Sequence, residues 1–334
     1  MTADLNAKYP GTESPERRMV CWGELVWDFF GDFCNDFRDE GPRLGGSAAN
    51  VAYHLRCLGA GVDLVSLVGA DELGNRAVAD LTRNGVGTRL MQRDAGGATG
   101  AVRITPSPDG PDFEPRFERM SRARFSELRV ESRASDTFRR ADAVCFAAVA
   151  QGTLLAAGPL AEALELASPR CLRFCDLNLR PPTADPGAVR AFADLSDVVK
   201  VNVHELAVLE RSVGASDGVA WLLARRPRLV AVTRGRDGAR LVTRRSVLED
   251  PGYRADPGGD PIGAGDAFVA ALAHSVLEKR ALPVALGAAN RYASFVASSR
   301  GAQPPVPAAL IAAVTGRGPE APPPGEPDIS RKNR

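Results

Sequence analysis

From residue 62 to residue 233, short apolar runs alternate with stretches whose apolar positions recur every three or four residues. The runs Val62–Val68, Ala143–Ala148, Leu172–Cys175, Val198–Val201 and Leu229–Thr233 read as strands covered on both faces. The helical periodicity predicts helices over Ala48–Leu58, Gly74–Asn84, Leu154–Ala167, Pro186–Leu195, His204–Val213 and Gly218–Ala224. Two more follow at Ala267–Glu278 and Leu282–Ala297. Strand–helix alternation of this kind implies right-handed crossovers and an α/β fold built on a mainly parallel sheet. An earlier strand, Gly23–Asp28, ends in a carboxylate.

Two regions break the alternation. Residues 28–44 and 101–130 carry short alternating or aromatic runs that no helix separates from their neighbours, so they predict one small antiparallel sheet. The ends differ again: residues 1–18 and 316–334 lack apolar periodicity, and the second holds five prolines among charged residues. Both read as disordered tails around one domain spanning residues 19–315.

Composition narrows the function class. Over 334 residues the net charge is +1 with acids and bases interspersed, which argues against nucleic acid or an anionic membrane as partner. No apolar stretch is long enough to span a bilayer and the N-terminus has no signal core, so a cytoplasmic protein is expected. The six cysteines are scattered without Cys-x-x-Cys spacing, and His54, His204 and His274 each fall in a helical pattern. A zinc centre or a Cys/His nucleophile pair is therefore not expected.

The candidate chemistry lies in two glycine motifs about two hundred residues apart. In Asp260-Pro261-Ile262-Gly263-Ala264-Gly265-Asp266, glycines let the backbone approach a ligand closely, and the following helix opens with free N–H groups. Gly263, Ala264 and Gly265 could form an anion hole there, with Asp266 placed as a proton acceptor whose ionisation the helix dipole favours. Taken alone, the stretch also reads as a plain Asp helix cap. In Leu44-Gly45-Gly46-Ser47-Ala48-Ala49-Asn50, two glycines precede a helix whose first turn offers the Asn50 amide to a small polar ligand. Walker-type and dinucleotide-binding glycine patterns are both absent: no lysine follows a glycine, and Gly263-x-Gly265 lacks its third glycine.

Together the two motifs resemble the paired signatures of the ribokinase-like (PfkB-type) carbohydrate kinases. Further landmarks follow in that family's order: Val68-Gly69-x-Asp71-x-x-Gly74, Asp176-Leu177-Asn178-Leu179-Arg180, Lys200-Val201-Asn202-x-x-Glu205, Thr233-x-Gly235-x-x-Gly238 and Gly301-Ala302-Gln303-Pro304. The resemblance runs from about Val20 to Pro307. It implies a three-layer α/β/α fold with a small antiparallel β lid that closes over a sugar and excludes water. It implies transfer of phosphate from ATP to a sugar hydroxyl, with Mg²⁺ as cofactor and Asp266 as the catalytic base.

Other roles follow from the same resemblance. Asp28, Gly45, Gly46 and Asn50 would meet the sugar, while Arg119 and Arg180 would face a phosphate or a substrate carboxylate. Asn202, Glu205, Thr233, Gly235, Gly238 and Asn290 would line the ATP site, with Glu205 holding Mg²⁺ through water. Asn202 and Glu205 read equally as a helix capping box, and Asn290 as a solvated helix residue. Asp260 and the carbonyl of Ile262 would bind a monovalent cation such as K⁺, but Pro305 stands where ribokinases carry Ser, and Pro261 replaces a common Thr. The motifs look most like bacterial fructokinases. Alternatives are a 2-keto-3-deoxygluconate kinase, a ribokinase or nucleoside kinase, and a catalytically silent sugar- or nucleotide-binding protein on the same fold. An exposed lid edge offers a route to a homodimer.

Overall fold

The computed structural model describes residues 17–30, 41–105, 116–121, 128–130, 134–147, 157–179, 184–256 and 259–317. Most of both expected tails, the central parts of the lid segments and Arg180 lie outside the described residues.

Strand β1 (Arg18–Trp22) runs parallel to both of its neighbours, β4 (Gly61–Val65) and β9 (Ala143–Ala147). The sheet continues in parallel through β10 (Leu172–Asp176), β11 (Val198–Asn202) and β12 (Leu229–Thr233). It ends in the antiparallel strands β13 (Ala239–Val242) and β14 (Val247–Asp250). Strand order reverses between β1 and β9, and at such a switch point the carboxyl ends of the strands part to leave a crevice.

Alternate residues of each strand feed two separate cores. Met19, Cys21, Leu64, Phe174 and Val198 pack against helices α1 (Ser47–Cys57), α8 (Ala264–Leu277) and α9 (Leu282–Ala297). Val20, Trp22, Val144, Val199 and Val230 point the other way. They meet α3 (Ser135–Arg139), α4 (Ala157–Leu166), α5 (Pro186–Leu195), α6 (Val203–Val213) and α7 (Gly218–Leu223). Both faces are thus covered, which is why these strands read as nearly continuous apolar runs. Helix α8 sits deepest: from Asp266 to Leu277 all but Val276 are buried. No helix among the described residues is long and apolar enough to cross a membrane.

The lid sheet has the order β3 (Arg43–Gly45), β2 (Val26–Phe30), β7 (Gly100–Thr105), β8 (Arg116–Ser121). It is mixed rather than purely antiparallel, because β2 and β7 run parallel. Its inner face is apolar and packs onto the glycine-rich loop: Val26, Val102 and Ile104 join Ile262 and Ala302. Trp27, on the opposite side of β2, enters the main core and donates its indole N–H to Leu73 O at 3.0 Å.

Several boundaries differ from expectation. The run Gly23–Asp28 is not one strand: β1 stops at Trp22, and Val26 begins the lid. Val62–Val68 divides at Ser66 into β4 and β5 (Leu67–Gly69), which leaves the main sheet to pair with β6 (Gln92–Asp94). Helix α2 (Glu72–Arg83) starts before Gly74, because Asp71 caps it by accepting the Gly74 N–H at 2.8 Å. Helix α8 starts three residues earlier than predicted, so Gly265 lies inside its first turn. A last helix, α10 (Ala308–Thr315), follows the Gly301–Pro304 segment.

Candidate active site

Gly46, directly after lid strand β3, caps helix α1. Gly46 sits at φ 93°, and a Cβ there would come within 2.6 Å of Glu24 O. A Cβ on Gly45 would strike Asp28 Oδ2 at 2.1 Å, so this glycine makes the space in which the buried Asp28 carboxylate lies. The two-glycine motif therefore seats the lid strand against the start of α1, and its first turn then presents Ser47 and Asn50 across the crevice.

What they meet is Asp266. Ser47 Oγ donates to Asp266 Oδ1 at 2.6 Å, and Asn50 Nδ2 donates to Oδ2 at 2.8 Å. Gln303 Nε2 donates to Asn50 Oδ1 at 3.0 Å, which fixes the direction of that amide and leaves its N–H₂ for the carboxylate. The carboxylate occupies the third position of α8 and is 9% exposed. Gly263 caps the helix in the left-handed region at φ 78°, and a Cβ on it would meet Ala302 Cβ at 2.5 Å. The expected anion hole is partly rearranged: Ala264 N–H turns back to Pro261 O at 3.2 Å. The N–H groups of Gly265 and Asp266 stay in the first turn, where an α-helix provides no acceptor.

Beneath that turn lies a buried ion pair. Lys200 Nζ donates to both oxygens of Asp176 at 3.1 Å and stands 3.9 Å from Glu205 Oε2. It also comes within 3.1 Å of where a Cβ on Gly265 would be. Asp176 and Lys200 face each other across β10 and β11 in register. A small cavity runs from Asp176 to Ser47. Asp176 further accepts the N–H of Asn178, which holds a positive φ of 40°.

This environment overrides the helix dipole. Burial, and then the charge of Asp176, lift Asp266 from the ordinary 3.8 to about 6, against the pull of Ser47, Asn50 and Lys200. Asp266 thus titrates at about 6, a stronger base than the helix dipole alone would make it. Burial works against the Lys200 charge, but Asp176 and Glu205 outweigh it, and its pKa rises.

The residues expected around a nucleotide gather at the carboxyl ends of β11 and β12 and on α9. Asn202 and Glu205 form a complete capping box, each side chain accepting the other's backbone N–H at 2.8 and 2.9 Å. Thr233 ends β12, and Gly235 and Gly238 follow at φ 59° and 76°. A Cβ on Gly238 would fall 2.1 Å from Asp250 O. Asn290 is buried rather than solvated, and its amide donates to Asp250 Oδ1 at 2.6 Å. Arg119 takes its place on β8 opposite Val102.

No group of three His, Cys, Asp or Glu among the described residues forms a metal cage. Glu205 is engaged by the cap and by Lys200, which suits contact with Mg²⁺ through water and not direct ligation. Asp260 spends its two oxygens on the N–H groups of Ile262 (3.1 Å) and Gly301 (2.7 Å). Loop 260–263 is thereby tied to the Gly301 segment, against which Ile262 also packs on Ala302. Sequence reasoning left Ser47, Asp176, Lys200 and Gln303 without roles. The available signal was Lys200, one of only four lysines in the chain and set within a Val-Val-Lys-Val strand.

Comparison with known proteins gives the class: a sugar kinase, a phosphotransferase with an alcohol group as acceptor. The sequence profile of the pfkB family carbohydrate kinases matches residues 18–309, and the chain belongs to that family. Fructokinase-1 of Oryza sativa subsp. japonica is 29% identical over 311 residues, covering 86% of this chain and 94% of its own. The crystal structure of an uncharacterized sugar kinase from Pyrococcus horikoshii in complex with ATP superposes with a TM-score of 0.70 at 27% identity, covering 85% of this chain and 94% of that one. A fructokinase from Xylella fastidiosa with bound ATP gives a TM-score of 0.75 at 22% identity, covering 91% and 99%. The fold is the ribokinase-like α/β fold.

Proposed function

We propose that this protein transfers the γ-phosphate of ATP to a sugar hydroxyl, with fructose the first candidate acceptor. One observation carries this reading: Asp266 is a buried carboxylate at the start of α8, oriented by Ser47 and Asn50 and titrating near neutrality. A base with such a pKa is ionised at physiological pH yet strong enough to accept a proton as it leaves. The choice of fructose draws on the similarity to plant and bacterial fructokinases.

In this mechanism the sugar lies between the lid and Asp266, with Asp28 accepting hydrogen bonds from its hydroxyls. The hydroxyl oxygen forms a bond to the γ-phosphorus, the bond to the β–γ bridging oxygen breaks, ADP leaves, and the proton passes to Asp266. The N–H groups of Gly265 and Asp266 face the phosphoryl oxygens, where preorganised donors are worth several kcal/mol. Thr233, Gly235, Gly238 and Asn290 hold the nucleotide. Glu205 would hold Mg²⁺ through water, and the ion would supply neutralisation of phosphate charge. The lid keeps water from taking the phosphate.

A coupled ADP-release assay over fructose, ribose, 2-keto-3-deoxygluconate and adenosine tests the proposal. Fructose is expected to give the highest kcat/KM. Turnover with none of the four, combined with ligand-induced thermal stabilisation, would establish a silent binding protein instead.

A further inference from the structure

Buried acids outnumber buried bases in this site. Asp176, Glu205 and Asp266 all draw on one ammonium, that of Lys200, and each of the four is at least nine-tenths buried. Three carboxylates and one ammonium leave an excess of negative charge where anionic phosphates must arrive.

The groups facing Asp266 come from several elements. Strand β10 contributes Asp176 and β11 contributes Lys200, with Glu205 of α6 behind the ammonium. Helix α1 presents the neutral Ser47 and Asn50, and the segment after Gly301 presents Gln303 through Asn50. His54 of α1 is turned away, bonded to Ala302 O and to Tyr292 of α9. Lys200, whose Nζ lies 3.1 Å from where a Cβ on Gly265 would be, and Asp176, bonded to it at 3.1 Å, are therefore the cation and anion that stand beside the turn carrying Asp266.

We propose that Asp176 and Lys200 are a positioning pair for Asp266, in which Asp176 sets how much of the shared ammonium Asp266 receives. The pair acts through Asp266, so the inference rests on Asp266 being the proton acceptor. Its two members act with opposite sign. Without Lys200, Asp266 faces Asp176 with no counterion and holds its proton to higher pH. Without the Asp176 charge, Lys200 turns to Asp266 and releases that proton at lower pH.

The experiment measures kcat/KM for the sugar, at saturating nucleotide, from pH 5 to 9. It compares wild type with Lys200→Met, Asp176→Asn, the double variant and Asp266→Asn. The acid limb, expected near pH 6 in wild type, should rise by about one unit or more in Lys200→Met and fall by a similar amount in Asp176→Asn. The double variant should return toward wild type. Activity lost in Lys200→Met at pH 7 should recover at pH 8.5, which a packing defect would not allow. If Lys200→Met fails to fold, Asp176→Asn decides alone, since its amide oxygen still accepts the Asn178 N–H. Limbs that stay put, or move in the same direction, overturn the pairing while leaving the base intact, provided Asp266→Asn is inactive. Retained turnover in Asp266→Asn overturns the base and the pairing together.

Discussion

Replacing Asp266 with Asn should make the protein more stable at neutral pH while removing its turnover. The native site binds the Asp266 proton more tightly than the unfolded chain does. The stability this group contributes is therefore full below pH 3.8 and is lost as pH rises through about 6. Lifting a carboxylate over that interval costs about 3 kcal/mol, at about 1.4 kcal/mol per pH unit. Asn removes this cost but introduces another. Its oxygen can still accept from Ser47, but its amide then meets the Asn50 donor now 2.8 Å from Oδ2. Restoring that bond requires both Asn50 and Gln303 to turn over, and losing it costs about 1–1.5 kcal/mol. The net gain at pH 7 is then about 1–2 kcal/mol. The steric and hydrogen-bond costs do not depend on pH, so the difference between variant and wild type should itself change by about 3 kcal/mol from acid to neutral pH. Urea denaturation between pH 4.5 and 8 captures about 2 kcal/mol of this change, alongside a turnover expected to fall by about two to four orders of magnitude. Parallel stability curves for the two proteins would refute the reasoning.

Other substitutions probe separate parts of the site. Gly46→Ala places a methyl 2.6 Å from Glu24 O at φ 93°, and should lower the urea-derived stability by at least about 2 kcal/mol; an unchanged midpoint would mean the lid does not press on α1. His54, held at about 4 by burial, is neutral in the folded protein. It contributes stability above pH 6.5 that is lost as pH falls toward 4, about 3 kcal/mol over the interval. His54→Phe should therefore be weaker at pH 8, having lost its bonds to Ala302 and Tyr292, yet lose less melting temperature between pH 7 and 5; an unchanged slope would exclude His54 as an acid-labile group. Asn202→Ala removes the acceptor of the Glu205 N–H and should cost about 1 kcal/mol. The Glu205 carboxylate keeps the backbone N–H of residue 202, so a rise in the Mg²⁺ concentration needed for half-maximal activity would assign the Asn202 side chain itself to the metal–phosphate site, and an unchanged value would reduce it to a cap.

Much of the fold is legible in the chain because of where its strands lie. Val198–Val201 and Leu229–Thr233 are covered on both faces, so their apolar runs are unbroken but for Lys200 and Thr233. Strands β13 and β14 are harder to see, because they form an edge where Arg240 and Glu249 face outward in short alternation. The β1–β2 boundary was hidden because Cys21 through Trp27 is nearly all buried, first in the sheet and then in the lid. At the site, Asp266 and Asn50 were visible as members of two motifs but not as a contact. Local chemistry predicts an ionised Asp at a helix start, and only the fold reveals that Asp176 sits behind it. Lys200 stood within a quoted motif without a role, since its meaning depends on cross-strand register and not on its neighbours in sequence.

The hydrogen bonds that orient Asp266 reach back 216 and 219 residues, and the amide that aligns Asn50 lies 253 residues beyond it. On a ribosome working at about 10 residues per second, Asn50 is made roughly 20 s before Asp266 exists. Throughout that time the first turn of α1 has no carboxylate to address, and Lys200, made about 15 s after Asn50, has only Asp176 and Glu205 beside it. The growing chain can thus build most of its sheet while remaining chemically inert. A product cut short before the Gly263–Gln303 stretch would hold the lid and a framework for the sugar but nothing to deprotonate it. On the proposed mechanism, this chain acquires its chemistry only once the Gly263–Gln303 stretch has been made.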